Sequence, residues 1–159
     1  MPKNIPPRPW HTLAADFMEW RGEEYLVLAD QYNKFPFVHR FGNTATSKTT
    51  IAYMKELFGC QGVPEVLFMD NGPQFSSYDF HQFAEQWNFE HRTSSPRYPQ
   101  SNGFAQRMVQ AMKATMTKAH KADMDLEMAL LCLRTTPISS KTPSPMELLM
   151  GRKAKSNLF

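Results

Sequence analysis

The chain has 159 residues and the composition of an ordinary folded protein, which is enough for one domain with a buried core. Its net charge of +3 permits a nucleic-acid partner without requiring one, and no apolar run approaches the ~20 residues of a membrane span. Only Cys60 and Cys132 are present, without CxxC spacing, which argues against a disulfide scaffold or a structural zinc site and favours a reduced compartment.

The first half of the chain predicts an antiparallel meander followed by a crossover. Three apolar strands joined by short turns are expected at residues 10–20, 25–30 and 36–41. A helical period then begins after Thr46 or Ser47 and ends at Gly59 or Gly62. Residues 66–69 read as a short buried strand. A strand, a helix and a further strand predict a right-handed parallel crossover.

The second half predicts mostly helices. The expected elements are a helix that Ser76 or Ser77 caps, a strand at 89–93, a loop at 94–103, and helices at 104–120, 125–135 and 144–150. The loop is expected because residues 94–103 contain two prolines and a glycine among small polar residues. Together the elements predict an α/β fold with a five-stranded mixed sheet flanked by helices.

Two aspartates stand out among these elements. Asp16 lies inside the first strand, and Asp70 follows the fourth. If the fourth strand pairs with the first, the two carboxylates lie close together, and their repulsion is relieved by a cation or a proton. Mg²⁺ prefers such oxygen ligands and keeps waters for substrate phosphates. Asp70-Asn71-Gly72 alone is also typical of a turn, whereas an aspartate within an apolar strand costs stability unless it is paired or ligated.

Six motifs, in order along nearly the whole chain, carry a family resemblance: Trp10 with Ala15-Asp16-Phe17, Leu28-Ala29-Asp30-Gln31-Tyr32, Gly62-Val63-Pro64-Glu65-Val66, Asp70-Asn71-Gly72-Pro73-Gln74-Phe75, Ser94-Ser95-Pro96-Arg97-Tyr98-Pro99-Gln100-Ser101-Asn102-Gly103, and Ser144-Pro145 with Glu147-Leu148-Leu149-Met150-Gly151-Arg152. With these motifs the chain resembles the catalytic core of retroviral and long-terminal-repeat retrotransposon integrases, particularly those of the gypsy group. The resemblance implies an RNase H-like fold and a D,D-35-E metal triad.

Carried over residue by residue, the resemblance makes Asp16 and Asp70 the first two carboxylates. Thirty-five residues after Asp70 stands Gln106, where the family has a glutamate. An active form would hold two Mg²⁺ or Mn²⁺ ions. Glutamine offers one neutral oxygen and no negative charge, so we expect weak metal binding here and little or no catalysis. Asp30, a conceivable substitute on the second strand, is expected to be structural.

DNA contacts are expected around the helix that carries Gln106. Gln110, Lys113 and Thr117 follow Gln106 at spacings of four, three and four, so the four residues share one helix face. The resemblance makes this face a DNA-end contact; without it, Lys113 reads as a solvated lysine. The further candidate contacts are Arg107 on the helix and Arg97, Tyr98, Gln100, Ser101 and Asn102 before it. The five histidines have no ligand spacing, and none is assigned.

The resemblance therefore predicts a metal-dependent polynucleotidyl transferase that trims DNA 3′ ends and joins them to target DNA. We expect a linker at residues 1–9, the catalytic core at 10–153 and a tail at 154–159. The implied partners are retroelement DNA ends, target DNA and further copies of the chain, as a homodimer or higher multimer, with no membrane and no small-molecule substrate. The expected location is the nucleus, or the cytoplasm before nuclear entry.

Gln106 leaves a second hypothesis open. The chain is either a competent integrase core carrying an inactivating change or a domesticated, non-catalytic module that binds DNA or protein. An RNase H-type nuclease is a third option. The Gly-Pro-Gln-Phe and Ser-Asn-Gly segments favour an integrase over it. Whether this chain is an enzyme thus depends on position 106.

Overall fold

The computed structural model describes residues 8–69, 72–93, 99–137 and 141–151, with the backbone alone for residues 99–102. The elements are β1 (Thr12–Trp20), β2 (Glu23–Asp30), β3 (Pro36–Gly42), α1 (Ser47–Gln61), β4 (Val66–Met69), α2 (Tyr78–Trp87), β5 (Glu90–Thr93), α3 (Pro99–Lys121), α4 (Leu126–Thr135) and α5 (Pro145–Met150). The strands form one sheet in the order β3-β2-β1-β4-β5. Strands β1 to β3 pair antiparallel, whereas β1–β4 and β4–β5 pair parallel. The predicted mixed five-stranded sheet is confirmed.

Local side chains fix the element ends. Thr46 caps α1 in a reciprocal capping box with Thr49. Ser77 caps α2 by accepting a hydrogen bond from the backbone N–H of Phe80. Between β1 and β2 the chain turns through Arg21 and Gly22, whose φ angles of 52° and 77° are both in the left-handed region. Two such residues make the tight hairpin turn whose twist matches the flanking strands.

The core forms two layers, one on each face of the sheet, and β1 contributes side chains to both. Leu13 and Ala15 pack into the cluster that α1 and α2 cover, together with Leu67 of β4. Ala14 and Met18 point to the opposite face, which α3 and α4 cover. Because side chains alternate along a strand, Asp16 belongs to the face under α3.

Three predicted starts were wrong by two residues or more, and one of them is β2, which begins at Glu23 and not at residue 25. Helix α3 begins at Pro99, not at residue 104, so the residues expected to end a loop form its first turn. Proline suits the first helical position because its missing N–H would have no partner there. Strand β1 begins at Thr12, not at Trp10. Trp10 has a φ of 65° and is buried, with its indole N–H donating to the Gly62 carbonyl at 2.6 Å.

No helix in the described part of the chain has both the length and the apolar character that a membrane span needs. The expected linker lies largely, and the expected tail entirely, outside the described residues.

Candidate functional site

The first candidate ligand, Asp16, lies at the centre of the sheet. It is half-buried and pairs with Val27 across the β1–β2 ladder. On the same face, Ala14 precedes it and packs with Phe104 of α3, and Met18 follows it and packs with Met112 and Met116. Apolar contacts between β1 and α3 therefore lie on both sides of the Asp16 carboxylate along the strand.

The second candidate ligand, Asp70, lies outside the described residues, and so does Asn71. The register up to that point is described: Ala15 of β1 is the parallel partner of Met69 of β4. Asp16 is the residue after Ala15, and Asp70 is the residue after Met69. The predicted strand pairing is thus confirmed, while the proximity of the two carboxylates stays a prediction.

The segment after Asp70 is anchored to the rest of the fold. Phe75 is fully buried, with its ring centroid 5.1 Å from Phe17 and 5.4 Å from Phe80. Gln74 is held twice, because its carbonyl accepts from the Ser47 hydroxyl at 3.0 Å and its side-chain amide donates to the Ala45 carbonyl at 3.3 Å. The burial of Phe75 and the two hydrogen bonds of Gln74 were not predicted from the sequence. The Gly-Pro-Gln-Phe segment, which contains both residues, was the motif that could have indicated them.

The third position, Gln106, is exposed on α3. Helix α3 runs along β1 in the same direction, because Phe104 packs with Ala14 and Thr117 accepts a 3.4 Å hydrogen bond from the Trp20 indole. At about 1.5 Å per helical residue, Gln106 lies about 3 Å beyond Phe104 along this direction. At about 3.3 Å per strand residue, Asp16 lies about 7 Å beyond Ala14. Position 106 is therefore within about one helical turn of the level of Asp16.

The expected DNA-contact face of α3 is open to solvent. Gln106, Arg107, Gln110, Lys113 and Thr117 are all exposed. Helix α3 contains four lysines and arginines and no acidic residue, and none of the ion pairs recorded in the described ranges involves it. The exposed side of α3 therefore carries positive charge at Arg107 and Lys113, between neutral polar residues.

The other predicted DNA contacts cannot be placed in the same way. Arg97 and Tyr98 lie outside the described residues. The backbone of Gln100, Ser101 and Asn102 forms the first turn of α3, which corrects the predicted loop, and their side chains are not described. These five assignments stay predictions.

Asp30 has a structural environment. Its carboxylate is fully buried and accepts hydrogen bonds from the backbone N–H groups of Trp10 at 2.7 Å and Tyr32 at 2.9 Å. Burial raises the pKa of Asp30, and these two N–H groups oppose that rise. The contacts tie the end of β2 to the chain before β1, in agreement with the structural role expected for this residue.

Comparisons with known proteins place these features in context. The profile of the integrase core domain family matches residues 6–99. An uncharacterized protein of Caenorhabditis elegans is 32% identical over 163 residues, which is 99% of this chain but 13% of that protein. The chain thus spans about an eighth of the length of this relative.

Two solved structures share the fold. The catalytic core domain of BIV integrase superposes with a TM-score of 0.77 at 19% identity, over 89% of this chain and 95% of that domain. A chain of the simian T-cell lymphotropic virus intasome gives a TM-score of 0.81 at 18% identity, over 96% of this chain and 58% of that one. The RNase H-like fold expected from the sequence is confirmed.

Proposed function

The chain belongs to the integrase core domain family, and on this premise we propose that it is the catalytic core of a retroelement integrase. Its reaction would be polynucleotidyl transfer: hydrolysis of a phosphodiester near a DNA 3′ end, then attack of the new 3′-hydroxyl on target DNA. The observation that carries the proposal is the parallel β1–β4 register, in which Ala15 pairs with Met69 immediately before Asp16 and Asp70.

The donor set suits a hard divalent ion, a type of cofactor that the family generally uses. Asp16 and Asp70 would hold Mg²⁺ or Mn²⁺ through carboxylate oxygens. When bound, the ion supplies positive charge to the phosphate oxygens and lowers the pKa of a coordinated hydroxyl or water. Asp16 would contribute orientation as well, because its backbone pairs with Val27 of β2 and the residue before it, Ala15, pairs with Met69 of β4.

Position 106 does not suit a second ion. Its exposed glutamine adds no charge, so two carboxylates alone would face two dications. We propose that the chain as it stands is inactive or strongly impaired in catalysis while it keeps the fold and the DNA surface.

For DNA binding, the exposed face of α3 supports the proposal. Lys113 and Arg107 would contact phosphates, and Gln110 would add a neutral hydrogen-bonding group on the same face. Arg97, Tyr98, Gln100, Ser101 and Asn102 would extend this contact beyond the start of α3. The face would hold a DNA end beside Asp16, because α3 runs along β1.

The test is to restore the carboxylate in the full-length protein. The Gln106→Glu variant should gain Mn²⁺-dependent 3′ processing and strand transfer on retroelement-end DNA. The parent chain should bind the same DNA without cutting it. A variant that binds DNA ends normally and stays inert would contradict the assignment of position 106.

A second candidate function rests on Gln106 itself: a domesticated module that binds DNA or protein without catalysis. The native gene decides between the two, since a glutamate codon at position 106 would exclude this alternative. A glutamine codon there, together with an inert Gln106→Glu protein, would support it.

Assembly and location are part of the same proposal. A chain of similar fold belongs to an intasome, and for this chain we propose a homodimer or higher multimer, with the core spanning residues 10–153 and working in the nucleus. Sedimentation of the chain with and without DNA ends would test assembly. A monomer under both conditions would contradict it.

A further inference from the structure

We propose that His81 and His91 form a second metal site, selective for a borderline transition-metal dication such as Zn²⁺. His81 is exposed on α2, and His91 lies on β5 opposite Leu67 of β4. Their ring centroids are 5.6 Å apart, and their planes are inclined by 36°. Ten residues separate the two in sequence, which is why spacing alone gave no sign of a site.

The first observation is an unsatisfied ring nitrogen. Nε2 of His91 is buried and has no hydrogen-bond partner among the described residues. Phe80 of α2 also lies beside His91, and the two ring centroids are 5.1 Å apart in an edge-to-face arrangement. A phenyl ring offers no hydrogen-bonding atom, so the buried nitrogen lacks compensation on that side. Native proteins leave few buried polar atoms in this state without an ion or a water.

The second observation is the distance between the rings. A Zn–N bond of about 2.0–2.1 Å places the metal about 3.2 Å from each ring centroid. Two ligands at a tetrahedral angle then have centroids about 5.2 Å apart. The observed 5.6 Å is close to this separation, and a rotation of the exposed His81 side chain would turn one of its ring nitrogens toward Nε2 of His91.

The protonation state of His91 is the one a metal requires. Burial lowers the pKa of His91, and the neighbouring His81 lowers it further. The neutral imidazole is therefore favoured, and the neutral form is the metal ligand.

The ligand chemistry separates this site from the carboxylate site. Imidazole nitrogen suits Zn²⁺, Ni²⁺ and Cu²⁺, whereas Mg²⁺ prefers oxygen. The two sites also lie on opposite faces of the sheet, because Leu67 and Phe80 belong to the α1–α2 side and Asp16 to the α3 side. Across the part of the chain that the structure describes, no third His, Cys, Asp or Glu joins the pair. Water would complete the coordination shell, and the ion would tie α2 to the edge strand β5.

The experiment titrates Cu²⁺ or Zn²⁺ into the full chain in the presence of excess Mg²⁺, which occupies carboxylate ligands. Calorimetry should give one saturable site, and Cu²⁺ electron paramagnetic resonance should show coupling to two nitrogens. Zn²⁺ should raise the melting temperature. His81→Gln and His91→Gln should each weaken binding at least about tenfold and abolish the rise in melting temperature.

The matched control is His120→Gln, which removes an exposed histidine from α3. It should bind Cu²⁺ as the parent chain does. The proposal fails if the parent shows no saturable binding, if a single nitrogen couples to Cu²⁺, or if His81→Gln binds as tightly as the parent. Should His91→Gln not fold, His81→Gln still decides, because that exposed side chain is not part of the core.

Discussion

The Gln106→Glu substitution adds a single negative charge to the proposed active site. If only one of the two charges on Mn²⁺ is counted, because desolvation opposes the rest, a carboxylate about 4 Å away gains about 4 kcal/mol at an effective dielectric constant of about 20. At about 1.4 kcal/mol per factor of ten, this is about a thousandfold in metal affinity. We therefore expect Gln106→Glu to bind a second Mn²⁺ ion that the parent chain does not hold.

Gln110→Glu is the matched control for this charge. Gln110 is exposed on the same face of α3 and lies about 6 Å further along the helix axis. At about 10 Å through water the same unit charge contributes about 0.4 kcal/mol, and salt screens it further. Both substitutions are at exposed positions, so each should change the free energy of unfolding by less than about 0.5 kcal/mol.

The assay pairs calorimetric titration of Mn²⁺ with strand transfer on labelled retroelement-end DNA. A second bound ion and strand-transfer product are expected for Gln106→Glu, and no second bound ion for Gln110→Glu. Equal Mn²⁺ affinity of the two variants would refute the assignment of position 106 to the metal site, whatever their catalytic rates.

Three further predictions concern the surface and the core. Lys113→Ala should weaken DNA binding uniformly across sequences and reduce its salt slope by about 1, whereas Lys48→Ala on α1 should do neither in the same fluorescence titration. Phe75→Ala should destabilise the fold by about 3–5 kcal/mol in chemical denaturation, while the exposed Tyr78→Ala costs little; a loss below about 1 kcal/mol for Phe75 would contradict its anchoring role. Burial lowers the pKa of His39 below 6.5 in the folded chain, so the unfolded chain binds more protons at this residue, and the free energy of unfolding falls as pH drops below 6.5. The His39→Phe variant should show a shallower fall of the free energy of unfolding with pH.

Much of the fold could be predicted because local signals agreed with tertiary ones. Thr46 and Ser77, expected as caps, have backbone N–H partners in their own first turns. The helix between β3 and β4 was expected because parallel strands need a long crossover connection. Such elements require only residues close in sequence and a general rule of connection.

The start of α3 could not be predicted because packing overrides propensity there. Ser101, Asn102 and Gly103 favour turns over helices, and a glycine inside a helix costs about 1 kcal/mol. In the fold, Phe104 is buried against Ala14 and Ala29 of the sheet. That burial, together with the helix continuing beyond it, supports the unfavourable first turn. No local pattern contains this information.

Less of the candidate site than of the fold could be predicted from the sequence. Taken alone, the residues at 70–72 read as a turn. The pairing of Asp70 with Asp16 depended on an assumed contact between the fourth and first strands, and only the resemblance gave Gln106 a role. The His81–His91 pair was not predicted because its members lie on a helix and on the following strand, and the packing around Phe80 brings their rings together. In both cases the side chains meet through tertiary packing, which a linear pattern does not encode.

The structure also explains why a glutamine at position 106 is compatible with an intact fold. Gln106 is exposed, whereas the α3 residues that hold the helix on the sheet, Phe104, Met112 and Met116, are buried. The free energy of folding therefore depends on one face of α3 and the proposed chemistry on another. A charge at position 106 is then neither required nor excluded by folding, so only selection for catalysis would maintain a glutamate there. Loss of that selection, in nature or by design, would leave a stable chain with Lys113 still exposed on α3 and the β1–β4 register unchanged.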